Sequence, residues 1–357
     1  MNDIKDSFGV CRNITAAGGR ADILAFAKEN SEYLQFCTPG HKGALSPLDL
    51  TELGGGAVFP RDSVTLAENE VAKHYKVKKV RFSLGGSSHA IKASVLAVSG
   101  PVLAPEFSHK SLFEACELAK VSLITFKTGE KYGLPSLPTP LDYQRELEKN
   151  PDIKLAFVAS PDYFGRVADI KGIKEVCQNQ GVLLLCDGAH GAHFASSPLF
   201  ISGGERIADF ASLSAHKTLS TFTQGAIGVC NNERYFDAFD HAFTLLGTSS
   251  PSYILLGSIY NGVMNEQENF KHYEELINAI DGIKKSIPYL KNDDKMRLVV
   301  DCKSSKITGE ELFNELLKRN IVAETYYGDY CIFIITLSDS VEKINALKSA
   351  LEQILKG

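Results

Sequence analysis

The chain reads as an α/β protein, with a large, mostly parallel sheet domain covered by helices on both faces and a small C-terminal α+β domain. Three observations predict this. From about residue 63, short apolar runs alternate with stretches whose apolar residues recur at helical spacing, the pattern of βαβ units. The runs, such as Leu183-Leu184-Leu185-Cys186, are apolar throughout instead of alternating, as strands buried on both faces must be. At 357 residues, 44% hydrophobic and 23% charged, the chain is also long enough to enclose a crevice beside one large core.

Taken in order, strands are expected at Val80–Phe82, Val102–Ala104, Leu123–Thr125, Leu155–Val158, Val182–Cys186, Phe210–Leu213 and Ile227–Val229. Helices such as Leu112–Lys120 and Ile173–Gln180 lie between them. After Ser250-Pro251-Ser252, helical spacing from Tyr253 to Ile287 predicts one long helix that leads out of the first domain and ends near Pro288. The remainder predicts strand Arg297–Val300, helix Gly309–Arg319, strands Ile321–Thr325 and Cys331–Ile335, and helix Val341–Leu355. The organisation expected is an N-terminal segment (1–45), a large domain (46–250), a linking helix (251–287) and the small domain (288–357). Gly54-Gly55-Gly56 reads as a surface loop.

A formal net charge of -5, with Lys and Arg dispersed, argues against nucleic-acid binding. The start, Met-Asn-Asp-Ile-Lys-Asp-Ser, lacks the basic and apolar regions of a secretory signal, and no apolar run reaches membrane-spanning length, so the expected location is the cytoplasm. Eight cysteines without any C-x-x-C pair read as reduced, buried thiols.

Four strand-end motifs carry chemistry, because ligands of open α/β sheets bind outside the strands' carboxyl ends. In Ser214-Ala215-His216-Lys217, the lysine follows an apolar strand, where a partly desolvated amine is a nucleophile; Ser214 and His216 are placed to donate to a phosphate. Alone, this run is more often a surface lysine in a polar loop. In Asp187-Gly188-Ala189-His190-Gly191-Ala192-His193, an acid ends the most apolar strand. A carboxylate against a pyridine nitrogen keeps it protonated and makes the ring an electron sink, and Ala189 lets a ring lie close. His190 and His193 also have the spacing of a metal pair, the weaker reading, since no third ligand accompanies them. Gly85-Gly86-Ser87-Ser88 opens a helix whose free N–H groups, with the hydroxyls, suit a phosphate dianion. His109, in Pro105-Glu106-Phe107-Ser108-His109, is placed to lie on a cofactor ring opposite Ala189; the competing reading is an ordinary histidine beside a helix-capping Ser108. A lysine, a ring-nitrogen acid and a phosphate cradle in one chain are what pyridoxal 5'-phosphate requires.

Together with Thr38-Pro39-Gly40-His41-Lys42-Gly43, Asp49-Leu50-Thr51-Glu52-Leu53, Ser160-Pro161-Asp162-Tyr163-Phe164-Gly165 and Thr248-Ser249-Ser250-Pro251, these motifs resemble the pyridoxal-phosphate-dependent ornithine/lysine/arginine decarboxylases of fold type I. The resemblance runs from about residue 35 to the end. It implies that Lys217 holds the cofactor as a Schiff base, Asp187 pairs with the pyridine nitrogen and His109 stacks on the ring. Gly86, Ser87, Ser88, Ser214 and His216 would surround the phosphate beside Ala189. It implies also a homodimer whose partner's cofactor phosphate is reached by Thr248 and Ser249, and decarboxylation of a basic amino acid, with polyamine synthesis favoured over acid resistance.

Relative to the long members of that family, the chain is expected to be a short form without the N-terminal wing domain. Gly188 and Phe59-Pro60-Arg61-Asp62-Ser63 depart from the pattern and leave the substrate open. His190, Tyr163 and Glu324 are the substrate-pocket candidates, with Asp49 and Glu52 as further acids for a basic side chain. Aminotransferase or lyase chemistry on the same cofactor, and a non-catalytic cofactor-binding relative, remain the alternatives.

Overall fold

The computed structural model describes residues 23, 34, 36, 38–49, 61–195, 197–201 and 204–356. The Gly54-Gly55-Gly56 loop, Glu52, and Phe59 and Pro60 of the departing segment lie outside the described residues. Helix α1 (Arg61–Tyr75) leads to strand β1 (Lys79–Ser83), followed by α2 (Gly86–Val98), β2 (Val102–Pro105), α3 (Lys110–Ala119) and β3 (Leu123–Phe126). A short hairpin, β4 (Glu130–Lys131) and β5 (Leu134–Pro135), and helix α4 (Pro140–Lys149) carry the chain to β6 (Leu155–Ala159), α5 (Ile170–Asn179), β7 (Leu183–Asp187) and β8 (Phe210–Leu213). The one-turn helix α6 (Ala215–Thr218), β9 (Ala226–Cys230) and α7 (Phe236–Leu246) complete this part.

The seven strands expected from sequence form one sheet in the order β1-β9-β8-β7-β6-β2-β3. Strand β9 runs antiparallel to both neighbours, and the other pairings are parallel. The side-chain period of two explains the unbroken apolar runs. In β6, Ala156 and Val158 face one core with Val71, Tyr143 and Ile173, while Leu155 and Phe157 face the other with Ile91, Leu112 and Phe239. Both faces are sealed, so polar side chains of the central strands are displaced to their ends.

The expected single helix from Tyr253 to Ile287 is two: α8 (Tyr253–Glu268) and α9 (Phe270–Lys284). Asn269 breaks it by capping both. Its side-chain amide donates to the Asn265 carbonyl, and its own carbonyl accepts from the amides of His272 and Tyr273. A three-stranded antiparallel sheet follows, with β10 (Arg297–Asp301) and β11 (Thr325–Tyr327) flanking β12 (Tyr330–Ile334), covered by α9, α10 (Gly309–Leu317) and α11 (Val341–Lys356). The strand expected at Ile321–Thr325 therefore begins four residues later, at Thr325. Ile321 instead closes the preceding helix, its amide donating to the Leu316 carbonyl, and Val322 stays exposed. The six described cysteines are free and buried.

The two sheets meet where Gly165, at φ +80°, lies against Arg297; a Cβ there would come within 2.9 Å of the Arg297 Cβ. Gly165→Ala is therefore expected to destabilise the fold by about 1–3 kcal/mol in denaturant titration, through strain and displacement of Arg297. On α8, Glu266 is buried with neither carboxylate oxygen hydrogen-bonded, and burial pushes its carboxyl up to about 8. An acid whose pKa rises on folding contributes stability below its unfolded value of 4.5 that is lost as pH climbs to about 8. Unfolding followed across that window should show the decline, and Glu266→Gln should flatten it.

Candidate active site

From β2 the chain adds β3 on one side and later β6 on the other, so connections diverge at the β2–β6 boundary. The carboxyl ends of β2, β6 and β7 open there onto a cavity of about 390 Å³. It is lined by Pro105, Phe107, Ser108 and His109 at and after the end of β2, Asp162, Tyr163 and Phe164 after β6, Asp187, Ala189 and His190 at and after the end of β7, and Lys217 from α6. Three of the four sequence motifs thus meet in one hollow, and the N-terminus of α2 contributes Ser87.

Asp187 is buried at the end of β7, where one carboxylate oxygen accepts from the Ala189 amide at 3.1 Å. Burial raises its carboxyl pKa, against the pull of that amide and of the Lys217 charge. Burial lowers the Lys217 pKa, while Asp187 and Glu324 oppose this. Lys217 Nζ lies 3.3 Å from His190 Nε2, and His190 Nδ1 lies 3.1 Å from an Arg297 terminal nitrogen. Burial, then the nearby Arg297 charge, hold the His190 pKa well below its usual value. Sequence reading took Arg297 only as the start of a strand. An arginine opening the buried run Arg-Leu-Val-Val was the available signal, but its partner is 107 residues away.

His109 is itself the N-cap of α3: its Nδ1 accepts from the Ser111 amide at 3.2 Å, while Ser108 donates to the Pro105 carbonyl instead. The cap expected at Ser108 thus belongs to the histidine, whose position at the cavity wall is fixed by it. At the mouth, the Tyr163 hydroxyl donates to Glu324 at 2.8 Å, joining the end of β6 to the small sheet. Asp49 pairs with His41 at 3.1 Å. His193 turns away from His190 to meet Asp294 at 3.0 Å in the interior. Among the described residues no three metal-ligating side chains gather.

The phosphate candidates divide. Ser87 lines this cavity, whereas Ser88, Thr248 and Ser249 line a separate hollow of about 1220 Å³. The Gly86 amide is engaged by the Gln224 carbonyl at 3.0 Å, which leaves the next amides of the α2 N-terminus for an anion. Ser214 is buried and its hydroxyl has no partner. His216 Nδ1 donates to the Gly225 carbonyl at 3.0 Å, so only a charged ring would also donate from Nε2. A buried carboxylate, a depressed lysine and an unpartnered buried hydroxyl fit pyridoxal phosphate.

Residues 50–342 match the family described as Orn/Lys/Arg decarboxylase, major domain. The chain belongs to this family. An arginine decarboxylase of Bacillus subtilis (strain 168) is 27% identical over 372 residues, covering 90% of this chain and 74% of that protein. A lysine decarboxylase of Francisella novicida superposes with a TM-score of 0.76 at 17% identity, over 94% of this chain and 62% of the other. Lysine decarboxylase A of Pseudomonas aeruginosa gives 0.79 at 15%, over 93% and 59%. This chain therefore spans about three-fifths of the length of those two lysine decarboxylases. A structure described as SPT with PLP gives 0.70 at 16%, over 93% and 83%. The fold is that of pyridoxal-phosphate enzymes of fold type I.

Because His109 caps α3, His109→Ala should cost about 1 kcal/mol of stability in chemical denaturation, and His109→Asn, which restores a capping acceptor, should recover most of it.

Proposed function

We propose that the protein is a pyridoxal-phosphate-dependent decarboxylase of a basic amino acid, releasing carbon dioxide and the corresponding amine. The observation that carries this reading is the convergence of Lys217, Asp187 and Ala189 on one cavity at the carboxyl edge of a family-matched sheet. The Bacillus relatives' name favours arginine among lysine, ornithine and arginine.

Bound pyridoxal phosphate supplies an electron sink for the pair left at Cα when carbon dioxide departs. Buried Asp187 would pair with the ring nitrogen and keep a proton there, a pairing that would offset the cost of burying its charge. Ala189 would leave room for one ring face and His109, held by Ser111, would cover the other. Ser87, Ser214 and the α2 amides would hold the phosphate; Ser88 faces the other hollow and His216 Nδ1 is committed to the Gly225 carbonyl. Lys217 would hold the cofactor through Nζ and, once free, would accept or return a proton at that atom. Tyr163 and Glu324 set a negative acceptor at the mouth for the distal cation of the side chain. Thr248 and Ser249, exposed beside the second hollow, reach the partner's phosphate in a homodimer.

Purified protein supplied with pyridoxal phosphate is expected to absorb in the visible and to convert at least one of arginine, lysine and ornithine to its amine with carbon dioxide release. Lys217→Ala should lose the band and at least about three orders of magnitude of turnover. A keto-acid product, or no carbon dioxide from any of the three, would overturn the reading.

A further inference from the structure

The contacts of His190 impose a proton count that the function above does not use. A neutral imidazole has one N–H donor and one acceptor nitrogen, and a guanidinium has donors only. Arg297 lies 3.1 Å from His190 Nδ1, so Nδ1 is the acceptor and Nε2 carries the proton. Nε2 in turn lies 3.3 Å from Lys217 Nζ. An ammonium has no lone pair to accept that proton, whereas a neutral amine has one. A charged lysine facing a protonated Nε2 would leave two donors opposed.

We infer that Arg297 and His190 are a positioning pair, in which Arg297 pins His190 as the Nε2–H tautomer and that N–H keeps the Lys217 amine in its uncharged, nucleophilic form. The inference rests on the reading of Lys217 as the cofactor lysine. Arg297 is 1% exposed and His190 8%, so water does not compete for the contact between them. Two further Arg297 nitrogens, Nε and one terminal nitrogen, have no hydrogen-bond partner, and Asp294 is the nearest acid at 3.9 Å. The guanidinium thus spends its hydrogen bonding on a neutral imidazole, which no simple packing role requires. Gly165 makes the room for its stem. The charged or titratable groups facing the pair are Asp187 from β7, Glu324 ahead of β11, Asp162 and Tyr163 after β6, His109 from the α3 cap, and His193 with Asp294 behind. Among them Asp187 and Glu324 favour a charged lysine, opposed by burial and by the Arg297 charge.

Two measurements on the full chain without added cofactor test this. In ¹⁵N spectra, with His190 assigned by the signal lost in His190→Asn, Nε2 should be protonated and Nδ1 bare at neutral pH. Competitive acetylation across pH, read by mass spectrometry of the Lys217 peptide, should show Lys217 about tenfold less reactive at pH 7 in both His190→Phe and Arg297→Met, one pH unit of its midpoint. The phenylalanine keeps the bulk and removes the Nε2 donor together with the Nδ1 acceptor, so Arg297 stays charged beside Lys217 while the N–H is lost. An Nδ1–H tautomer would overturn the inference. So would a loss in Arg297→Met without one in His190→Phe, which is the signature of charge repulsion alone, or no change in either. If Arg297→Met fails to fold, the wild-type tautomer and His190→Phe decide the matter. Neither readout needs turnover, so failure to release carbon dioxide from basic amino acids would overturn the decarboxylase reading and leave this one standing.

Discussion

A sheet sealed on both faces has no place for charge except at the ends of its strands, and the rest of this molecule follows from that constraint. Strands β6 and β7 are buried by two separate apolar cores, so the first polar residues they reach, Ser160 just after β6 and Asp187 at the end of β7, stand at the carboxyl edge. Strand order then decides which edges are neighbours. The divergence at the β2–β6 boundary opens a gap between loops, and that gap becomes the cavity.

Desolvation is therefore the common electrical theme of the site. It raises Asp187 and lowers both Lys217 and His190, so each group is held closer to neutrality than it would be in water. A cofactor with a cationic ring nitrogen and an anionic phosphate supplies the complementary charges. Arg297 adds a fixed cation from the small sheet, and the Tyr163–Glu324 contact is a second bridge at the mouth. Both contacts link the two sheets beside the cavity. Movement of the small sheet relative to the large one would alter both the charge near Lys217 and the width of the entrance.

Legibility in the sequence followed the range of the forces involved. The strands of the large sheet were readable because burial on both faces writes a continuous apolar run into the chain. The four motifs are legible because the residue types at each strand end are local: an acid ending β7, a lysine after β8, a histidine after β2 and a Ser pair at a helix start. The break at Asn269 was hidden because apolar spacing continues across it, and only the amide's hydrogen bonds reveal it. The start of β11 is not legible because Ile321 and Val322 have strand-like side chains, yet Ile321 finishes a helix and Val322 stays exposed. Ser108 resembles a better helix cap than His109, yet the histidine supplies the acceptor.

The sequence by itself determined the α/β class, the alternation of elements and the residue types at each strand end, because these depend on local propensity and on the period of apolar side chains. Only the tertiary structure decided the partners. It placed Lys217 against His190, brought Arg297 from the small sheet to the same imidazole, set Glu324 on Tyr163, and put Ser87 and Ser88 on different hollows. Those pairings join residues up to 161 positions apart, and such contacts arise from the packing of whole sheets, which no local pattern encodes.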